Sequence, residues 1–246
     1  MRRFTSLKVV LVPAAALAFV AGVASVVSAQ AVNQETSNKV TGGGITLAGW
    51  QGVVDASEAT KGLKITDAKM VGMGPGFHVT TGPASTYWNP ANKGTGDYSV
   101  KATFNEADYM GLNDHPHPYG VVLAGKNMDS AKPEFLYCTA YGDGHFIFRG
   151  FSATAPRGTF QMDGRAGTVN AAVNKAEGKG KPVKQEIAIW VKGDKVGCTI
   201  NGTEVASYNK ADVIGEGKLT STDGFAGVRF GHNTDAHVAG FAVGKP

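Results

Sequence analysis

Four side chains that could bind a polyhydroxylated ligand alternate along residues 134–150, EFLYCTAYGDGHFIFRG. The run predicts two short strands joined by a three-residue turn at 142–144. Aromatic rings stack on the apolar face of a sugar, while Arg and His side chains can reach its hydroxyl groups. Antiparallel pairing across this turn brings the four side chains to one face of the hairpin. The predicted ligand-binding residues of the hairpin are Tyr137, Tyr141, His145 and Arg149.

A later strand adds two side chains of matching alternation, Trp190 and Glu186, which we expect to join this ligand-binding face. Glu186 and His145 are then the candidates for acid–base catalysis, although no motif assigns either of them that role. A structural interpretation stays open. In it, the same side chains cover the protein interior beneath residues 152–184, and Arg149 is paired with an acid.

Two histidines separated by one residue, His115 and His117, lie in the loop sequence NDHPHP. Prolines restrict this backbone, and alternate residues of an extended segment point the same way. Together with Asp114, His145 or His232 the pair could ligate Zn²⁺ or a similar metal ion. The alternative is an exposed His-Pro loop without a metal, because no metalloprotease motif surrounds these histidines.

Oxygen ligands for Ca²⁺ are offered by two turn residues, Asp143 in the sequence GDG and Asp235 in NTD. Turn chemistry alone also explains acidic residues at such positions. No other cofactor is predicted.

Cys138 and Cys198 are the only cysteines of the chain. Both fall at positions whose alternation points them to the interior. They form either a disulfide, which an oxidising compartment would favour, or two buried free thiols.

The N-terminus has the pattern of a secretory signal peptide, predicted for residues 1–29. Basic residues precede the apolar run VVLVPAAALAFVAGVASVV, and small residues follow it, with cleavage predicted after Ala29 or Ala31. The apolar run is also long enough for an uncleaved membrane anchor. A lipoprotein signal is excluded because no cysteine lies near the cleavage site. We expect an exported protein, periplasmic or extracellular, with no membrane span after cleavage.

The charge balance argues against a nucleic-acid partner. The whole chain has 24 Lys and Arg against 20 Asp and Glu, but three of the basic residues lie within 1–29. The remainder is nearly neutral, without the excess of positive charge that phosphate binding requires. The predicted partner is therefore a carbohydrate or a related polyhydroxylated ligand.

The elements that must position these residues are strands. After a flexible lead-in at 30–44, residues 45–246 form short apolar runs cut by Gly, Pro, Asn and Asp, which indicates one all-β domain. The run YGVVLAG at 119–125 is apolar on both sides and predicts a central strand. Residues 186–207 predict a three-stranded meander with tight turns at 193–194 and 201–202, which place Ile189 and Val205 opposite Cys198 on the two neighbouring strands.

The order of these elements resembles the concanavalin A-like lectin/glucanase superfamily. The resemblance is carried by YGVVLAG, EFLYCTAYGDGHFIFRG, IAIWVKGDKVGCTINGTEV and GFAGVRFGHNTDAHVAGFAV, and covers residues 97–243. It is nearest to the secreted 3-keto-disaccharide hydrolase domains, which are related to glycoside hydrolase family 16. The resemblance implies a jelly-roll β-sandwich of two antiparallel sheets, with a concave face that meets carbohydrate.

One departure separates the chain from the family 16 glucanases. Their Glu-x-Asp-x-(x)-Glu strand supplies two catalytic carboxylates, whereas the nearest run here, EADYMG at 106–111, lacks the third acid. The leading hypothesis is therefore a carbohydrate-binding domain. A glycoside hydrolase, including a 3-keto-disaccharide hydrolase, and a non-catalytic structural or adhesion module of the cell envelope are the alternatives.

Overall fold

Two β-sheets packed face to face form the chain over residues 36–163 and 167–246, which are the residues that this computed structural model describes. The predicted signal peptide at 1–29 lies outside the described residues, together with the first part of the predicted lead-in. Within the described ranges, no helix has the length and apolar character needed to cross a membrane.

The described elements are almost all strands. Two short helices, α1 (Ala56–Ala59) and α2 (Lys210–Val213), and a 3₁₀ turn (Ile65–Asp67) accompany them. The strands are β1 (Gly44–Ile45), β2 (Gln51–Val54), β3 (Lys69–Met73), β4 (Gly76–Thr80), β5 (Ser85–Gly94), β6 (Tyr98–Glu106), β7 (Tyr119–Lys126), β8 (Glu134–Ala140), β9 (His145–Phe151), β10 (Thr159–Gln161), β11 (Thr168–Val169), β12 (Val183–Lys192), β13 (Lys195–Ile200), β14 (Thr203–Asn209), β15 (Gly224–Phe230) and β16 (Asp235–Gly244).

The first sheet has the strand order β1-β3-β4-β16-β6-β12-β13-β14, and the second has the order β10-β9-β8-β7-β15-β5-β2, with β11 also paired to β9. Among the described pairs, every one is antiparallel except the short edge pair of β1 with β3. The predicted all-β jelly-roll sandwich is confirmed. Strand β7, buried over most of its length between β8 and β15, is the predicted central strand.

The hairpin β8–β9 has the predicted three-residue turn. Tyr137 lies opposite Arg149, Cys138 opposite Phe148, and the amide of Tyr141 donates to the carbonyl of His145 at 2.9 Å. Alternation then sends one set of side chains into the interior between the sheets. These interior residues of the hairpin are Leu136, Cys138, Ala140, Phe146 and Phe148.

The meander β12–β13–β14 follows the predicted pairing through its first turn, with Ile189 opposite Cys198. The second pairing differs from prediction. A β-bulge between Cys198 and Thr199 moves Ala206, instead of Val205, opposite Cys198. A bulge adds one unpaired residue to a strand and shifts all pairing beyond it, an event that turn type does not encode.

The predicted domain start at Ile45 is corrected by contacts of the preceding residues. The hydroxyl of Ser37 donates to Glu58 at 2.7 Å, the amide of Asn38 donates to Asn233 at 2.8 Å, and the amide of Val40 donates to the carbonyl of Asp67 at 3.0 Å. The described part of the lead-in is thus held by partners distant in sequence, and it belongs to the compact unit Glu35–Pro246.

The two cysteines form a disulfide that joins the sheets, since Cys138 is on β8 in the second sheet and Cys198 is on β13 in the first. Both are fully buried. Of the two alternatives left by the sequence, the disulfide is confirmed. It links the middle of one sheet to the other across the interior.

Replacing both cysteines by alanine should lower the free energy of unfolding by about 4 kcal/mol. The disulfide closes a loop with a sequence separation of 60 residues, and restricting such a loop in the unfolded chain is worth roughly this much. Urea denaturation of both proteins measures the difference. Adding a reductant should destabilise the wild-type protein and leave the double variant unchanged; equal stability of the two proteins without reductant would contradict the assignment.

One acid, Glu106 at the end of β6, points into the interior and is 4% exposed. Its carboxylate accepts a hydrogen bond from the amide of Met110 at 3.3 Å. Burial is the largest influence and raises the pKa of Glu106 to about 7, and the charges of Asp235 and Asp108 act in the same direction. The buried carboxyl of Glu106 is therefore protonated below about pH 7.

The Glu106→Gln variant should gain stability relative to the wild-type protein as the pH rises from about 4.5 to about 7, and the difference should stay constant above that. Glutamate in the unfolded chain has a pKa near 4.5, so the burial penalty is absent below that pH and complete above about 7, where it reaches roughly 3 kcal/mol. Urea denaturation between pH 4 and pH 9 tests this. Glu186→Gln, which changes an exposed glutamate, is the control and should show no such pH dependence.

Candidate functional site

A cavity of about 910 Å³ opens on the outer face of the second sheet, opposite to the face that carries Cys138. Its base comes from outward-facing residues of β2, β5, β8, β9 and β15. Three loop segments surround it: 55–60 including α1, 129–133 before β8, and 152–159 after β9. We refer to this cavity as the outer pocket.

Aromatic side chains form the base of the outer pocket. The rings of Phe135 and Phe151 stack with centroids 4.6 Å apart, and Tyr137 lies 6.0 Å from each of them. Phe135 and Tyr137 are 1% and 4% exposed, whereas Phe151 is partly exposed. The three rings thus form an aromatic layer outside the main core, in which Phe151 presents the accessible surface.

A buried arginine, Arg229 on β15, lies on this aromatic layer. Its guanidinium carbon is 4.8 Å from the ring centre of Phe151 and 5.0 Å from that of Tyr137. The guanidinium donates to both carboxylate oxygens of Asp55, at 2.7 and 2.5 Å, and to the hydroxyl of Thr86 at 2.9 Å. Such a two-pronged pair is among the strongest charge-assisted contacts in proteins.

The charge of Arg229 is maintained by its partner. Burial disfavours a charged guanidinium, but the charge and hydrogen bonds of Asp55 outweigh burial and raise the pKa of Arg229 above its usual value. Burial also raises the pKa of Tyr137, against the lowering effect of Arg229 and Arg149. The base of the pocket therefore contains a permanent ion pair beside a neutral phenol.

Local structure explains how Arg229 and Asp55 meet. Val228 and Phe230 point into the main core, so alternation turns Arg229 outward. Asp55 follows β2 directly and precedes α1, and its amide donates to the carbonyl of Ala84 at 2.9 Å. This backbone bond fixes the start of α1 against the segment that precedes β5.

Positive charge dominates the wall of the outer pocket. Apart from the ion pair of Asp55 with Arg229, the charged residues among its described lining are three basic ones and one acid, Asp129. The basic residues are Lys132, Arg149 and Arg157. The Nε atom of Arg149 donates to Gln161 at 2.6 Å. A second cavity of about 490 Å³ shares Arg149 and Arg157 with the first. The two cavities therefore adjoin, and we refer to them together as the groove.

Two of the residues predicted to bind ligand, Tyr137 and Arg149, line the outer pocket. Tyr137 belongs to its packed base, as the structural interpretation of the sequence had it. Tyr141 and His145 lie on the same sheet but at the turn end of the hairpin, outside the pocket lining. There the Nδ1 atom of His145 is 3.0 Å from Asp143, its neighbour in the turn.

Trp190 and Glu186 do not join this face, and that prediction was wrong. Their strand, β12, belongs to the first sheet, between β6 and β13. Because the disulfide places β8 across the interior from β13, the outward faces of β8 and β12 lie on opposite sides of the sandwich. Trp190 instead covers Gly197, where a Cβ atom would collide with its indole ring.

The predicted metal ligands separate into three positions. Asp235 accepts hydrogen bonds from His78 at 2.8 Å and Thr80 at 2.5 Å, and Asp143 contacts His145, so these acids do not share a site. His115 and His117 do come together, with His232 as the third member. One ligand atom from each of the three lies within 4.8 Å of the others.

Sequence reasoning missed Arg229 and Asp55. The alternation of GVRFG at 227–231 already turns Arg229 away from the core, and a charged residue between two core positions is a usable signal. No pattern, however, indicates that its partner lies 174 residues away. The sequences of the loops before β8 and after β9 likewise do not predict that these loops form the pocket wall.

Comparison with known proteins shows the fold. The sequence matches no family model and no curated protein. Among solved structures, the carbohydrate-binding module CBM66 from Bacillus subtilis matches with a TM-score of 0.51 at 11% identity, over 82% of this chain and 99% of that one. A Bacillus subtilis protein of unknown function with a galectin-like fold matches with a TM-score of 0.50 at 12% identity, over 80% of this chain and 89% of that one. These likenesses support the expected jelly-roll fold.

Replacing Arg229 by methionine should lower the free energy of unfolding by about 3 kcal/mol, because it leaves the carboxylate of Asp55 partly buried without its partner. Adding Asp55→Asn should recover much of this loss, since it removes the uncompensated charge. Urea denaturation of the two single variants and the double variant gives the coupling energy.

A matched control is Lys61→Met, which breaks the ion pair with Glu58. Lys61 is 55% exposed, and Glu58 keeps the hydrogen bond that it accepts from Ser37, so this variant should lose less than about 1 kcal/mol. Additive effects of Arg229→Met and Asp55→Asn would show that the pair does not hold the pocket together.

Proposed function

We propose that this protein is an exported carbohydrate-binding domain whose ligand lies in the outer pocket. The observation that carries the proposal is the accessible wall of that pocket. There the partly exposed ring of Phe151 lies beside Arg149 and the ion pair of Asp55 with Arg229. Sugar binding uses this combination, because a ring face receives the apolar side of the sugar while charged groups bind its hydroxyls.

The dimensions of the site suit an oligosaccharide. The outer pocket of about 910 Å³ adjoins the second cavity of about 490 Å³ at Arg149 and Arg157. A ligand of several linked rings could follow this groove, with one ring at Phe151 and the next between the two arginines. A groove open to this extent also favours ligand binding over a purely structural or adhesive role.

The charges of the groove favour an acidic saccharide. Asp55 neutralises Arg229, which leaves Lys132, Arg149 and Arg157 against Asp129 among the described lining residues. Arginine binds carboxylate through paired hydrogen bonds, which a neutral sugar does not offer. Uronic acid units are the sugars that would meet this requirement.

The disulfide and the N-terminal pattern support export. A stable disulfide between Cys138 and Cys198 requires an oxidising compartment, such as the periplasm or the extracellular medium. The signal-peptide pattern of residues 1–29 leads to the same compartments.

Glycoside hydrolysis, including action on 3-keto-disaccharides, is the less favoured function. A retaining mechanism needs two carboxyl groups about 5 Å apart, one of which acts as nucleophile. Of the acids that line the described groove, Asp55 has both of its oxygens engaged by Arg229. Glu186 lies on the other sheet, and His145 lies outside the pocket lining. This arrangement suits binding better than catalysis.

Phe151→Ala and Arg149→Gln should each weaken binding of an oligouronide at least 10-fold. The first removes the exposed ring, and the second removes a charge-assisted hydrogen bond worth about 1.5–3 kcal/mol. Calorimetric titration with an oligouronide and with a neutral oligosaccharide of equal length measures both effects. The neutral ligand should bind more weakly, and its affinity should depend less on Arg149.

Two variants of the opposite face serve as controls, Trp190→Ala and Lys101→Gln, because both side chains lie on the first sheet. Neither should change the affinity. Loss of binding in Trp190→Ala with retention in Phe151→Ala would place the ligand on the first sheet, and a glycan array without any binding would refute the function itself.

A further inference from the structure

Three histidines converge at a position outside the outer pocket. His115 and His117 lie in the loop between β6 and β7, and His232 lies in the turn between β15 and β16. We call these three residues the histidine cluster. None of them lines the outer pocket, so the cluster is separate from the proposed carbohydrate site.

The two loops are held against each other at close range. The amide of Gly231 donates to the carbonyl of Pro118 at 2.7 Å. A Cβ atom on Gly231 would lie 2.8 Å from the ring of Pro118 and 3.1 Å from the Cβ atom of His117, so only glycine permits this approach. Close backbone packing at Gly231 therefore fixes the distance between the loop of His117 and the turn of His232.

The residue after His232 is fixed as well. Asn233 is fully buried and adopts a positive φ of 48°. Its amide donates to the carbonyl of Gly82 at 2.9 Å, and its side chain accepts a hydrogen bond from the amide of Asn38 at 2.8 Å. The turn that carries His232 is thus rigid before any ion arrives, which is the condition for a preorganised site.

We propose that the histidine cluster binds a Zn²⁺ ion through one ring nitrogen of each histidine. Imidazole is a preferred ligand of Zn²⁺, and three imidazoles with an open fourth position form a recurrent tetrahedral arrangement. The Nε2 atoms of His115 and His117 are 2.8 Å apart, and the three ligand atoms all lie within 4.8 Å of one another. Ligand nitrogens around tetrahedral zinc are about 3.4 Å apart, given Zn–N bonds of about 2.1 Å. Zinc binding would thus lengthen the separation of the two Nε2 atoms by about 0.6 Å.

Asp114 supplies the outer contact that zinc-bound histidines use. The Nδ1 atom of His115 lies 2.6 Å from the carboxylate of Asp114, which leaves Nε2 directed at the cluster. A carboxylate in this position orients the ring and increases its basicity as a ligand. Lys179 also lies at this loop, where its ammonium group donates to the carbonyl of Asn113 at 3.0 Å. Its positive charge would repel a bound cation, whereas the carboxylate of Asp114 would attract it.

Access favours a fourth ligand from solvent. The side chain of His115 is 38% exposed and His117 is buried, so the cluster has one open side and one closed side. A water molecule at the open position would complete the tetrahedron. The bound ion would join the β6–β7 loop to the β15–β16 turn.

Calorimetric titration of the chelator-treated protein with ZnCl₂ tests the site. The wild-type protein should bind one Zn²⁺ per chain, with a rise in melting temperature. His115→Ala removes the most exposed ligand and should weaken zinc binding at least 100-fold while the circular dichroism spectrum stays unchanged. Asp114→Asn keeps all three ligands and should weaken binding by about 10-fold, as loss of an outer contact does.

The matched control is His145→Ala. His145 also contacts a carboxylate, that of Asp143, but it is not part of the histidine cluster. This variant should bind zinc as the wild type does. Equal affinity of wild type and His115→Ala, or no zinc binding at micromolar concentrations, would overturn the proposal and leave a hydrogen-bonded histidine network. His232→Ala is an independent check, because it removes the zinc ligand that the β15–β16 turn contributes.

Discussion

Burial of both faces of the second sheet is the constraint on which the rest of this structure depends. One face packs against the first sheet and is linked to it by the Cys138–Cys198 disulfide. The other face carries the aromatic layer of Phe135, Tyr137 and Phe151. An arginine that alternation directs to this outer face therefore enters an apolar environment, where an unpaired charge would cost several kcal/mol.

The ion pair of Arg229 with Asp55 resolves that conflict and, in doing so, shapes the pocket. Pairing holds the start of α1 against β15, which raises one wall of the cavity above the aromatic layer. The aromatic rings contribute cation–π contact to the same guanidinium. The interaction that makes the outer face stable is thus also the one that makes it a defined groove.

Strand β15 and the turn after it contribute residues to two separate sites. Arg229 near its end belongs to the outer pocket, while His232, just past its end, belongs to the histidine cluster. The change of direction between them depends on Gly231 and Asn233, whose backbones pack closely against neighbouring segments. A ligand groove and a candidate metal site are therefore built from one strand and the turn that follows it, without sharing a side chain.

The sequence by itself determined what short-range geometry controls. Alternation assigned the inward and outward faces of the hairpin β8–β9, and turn length set its register and that of Ile189 opposite Cys198. These features follow from the two-residue period of a strand and from the conformations that Gly, Asn and Asp permit in turns. The pairing of Cys138 with Cys198 was left open, because core-facing positions do not reveal which strands face each other.

Only the tertiary structure decided which outward faces coincide. Trp190 and Tyr137 have the same outward character in sequence, yet they lie on opposite sides of the sandwich, because strand order depends on packing between distant segments. The same holds for Asp55 with Arg229 and for the choice of His232 as the third histidine. Local sequence fixes the direction of a side chain relative to its own strand, whereas its neighbours across the sheet are set by the free energy of packing the whole chain.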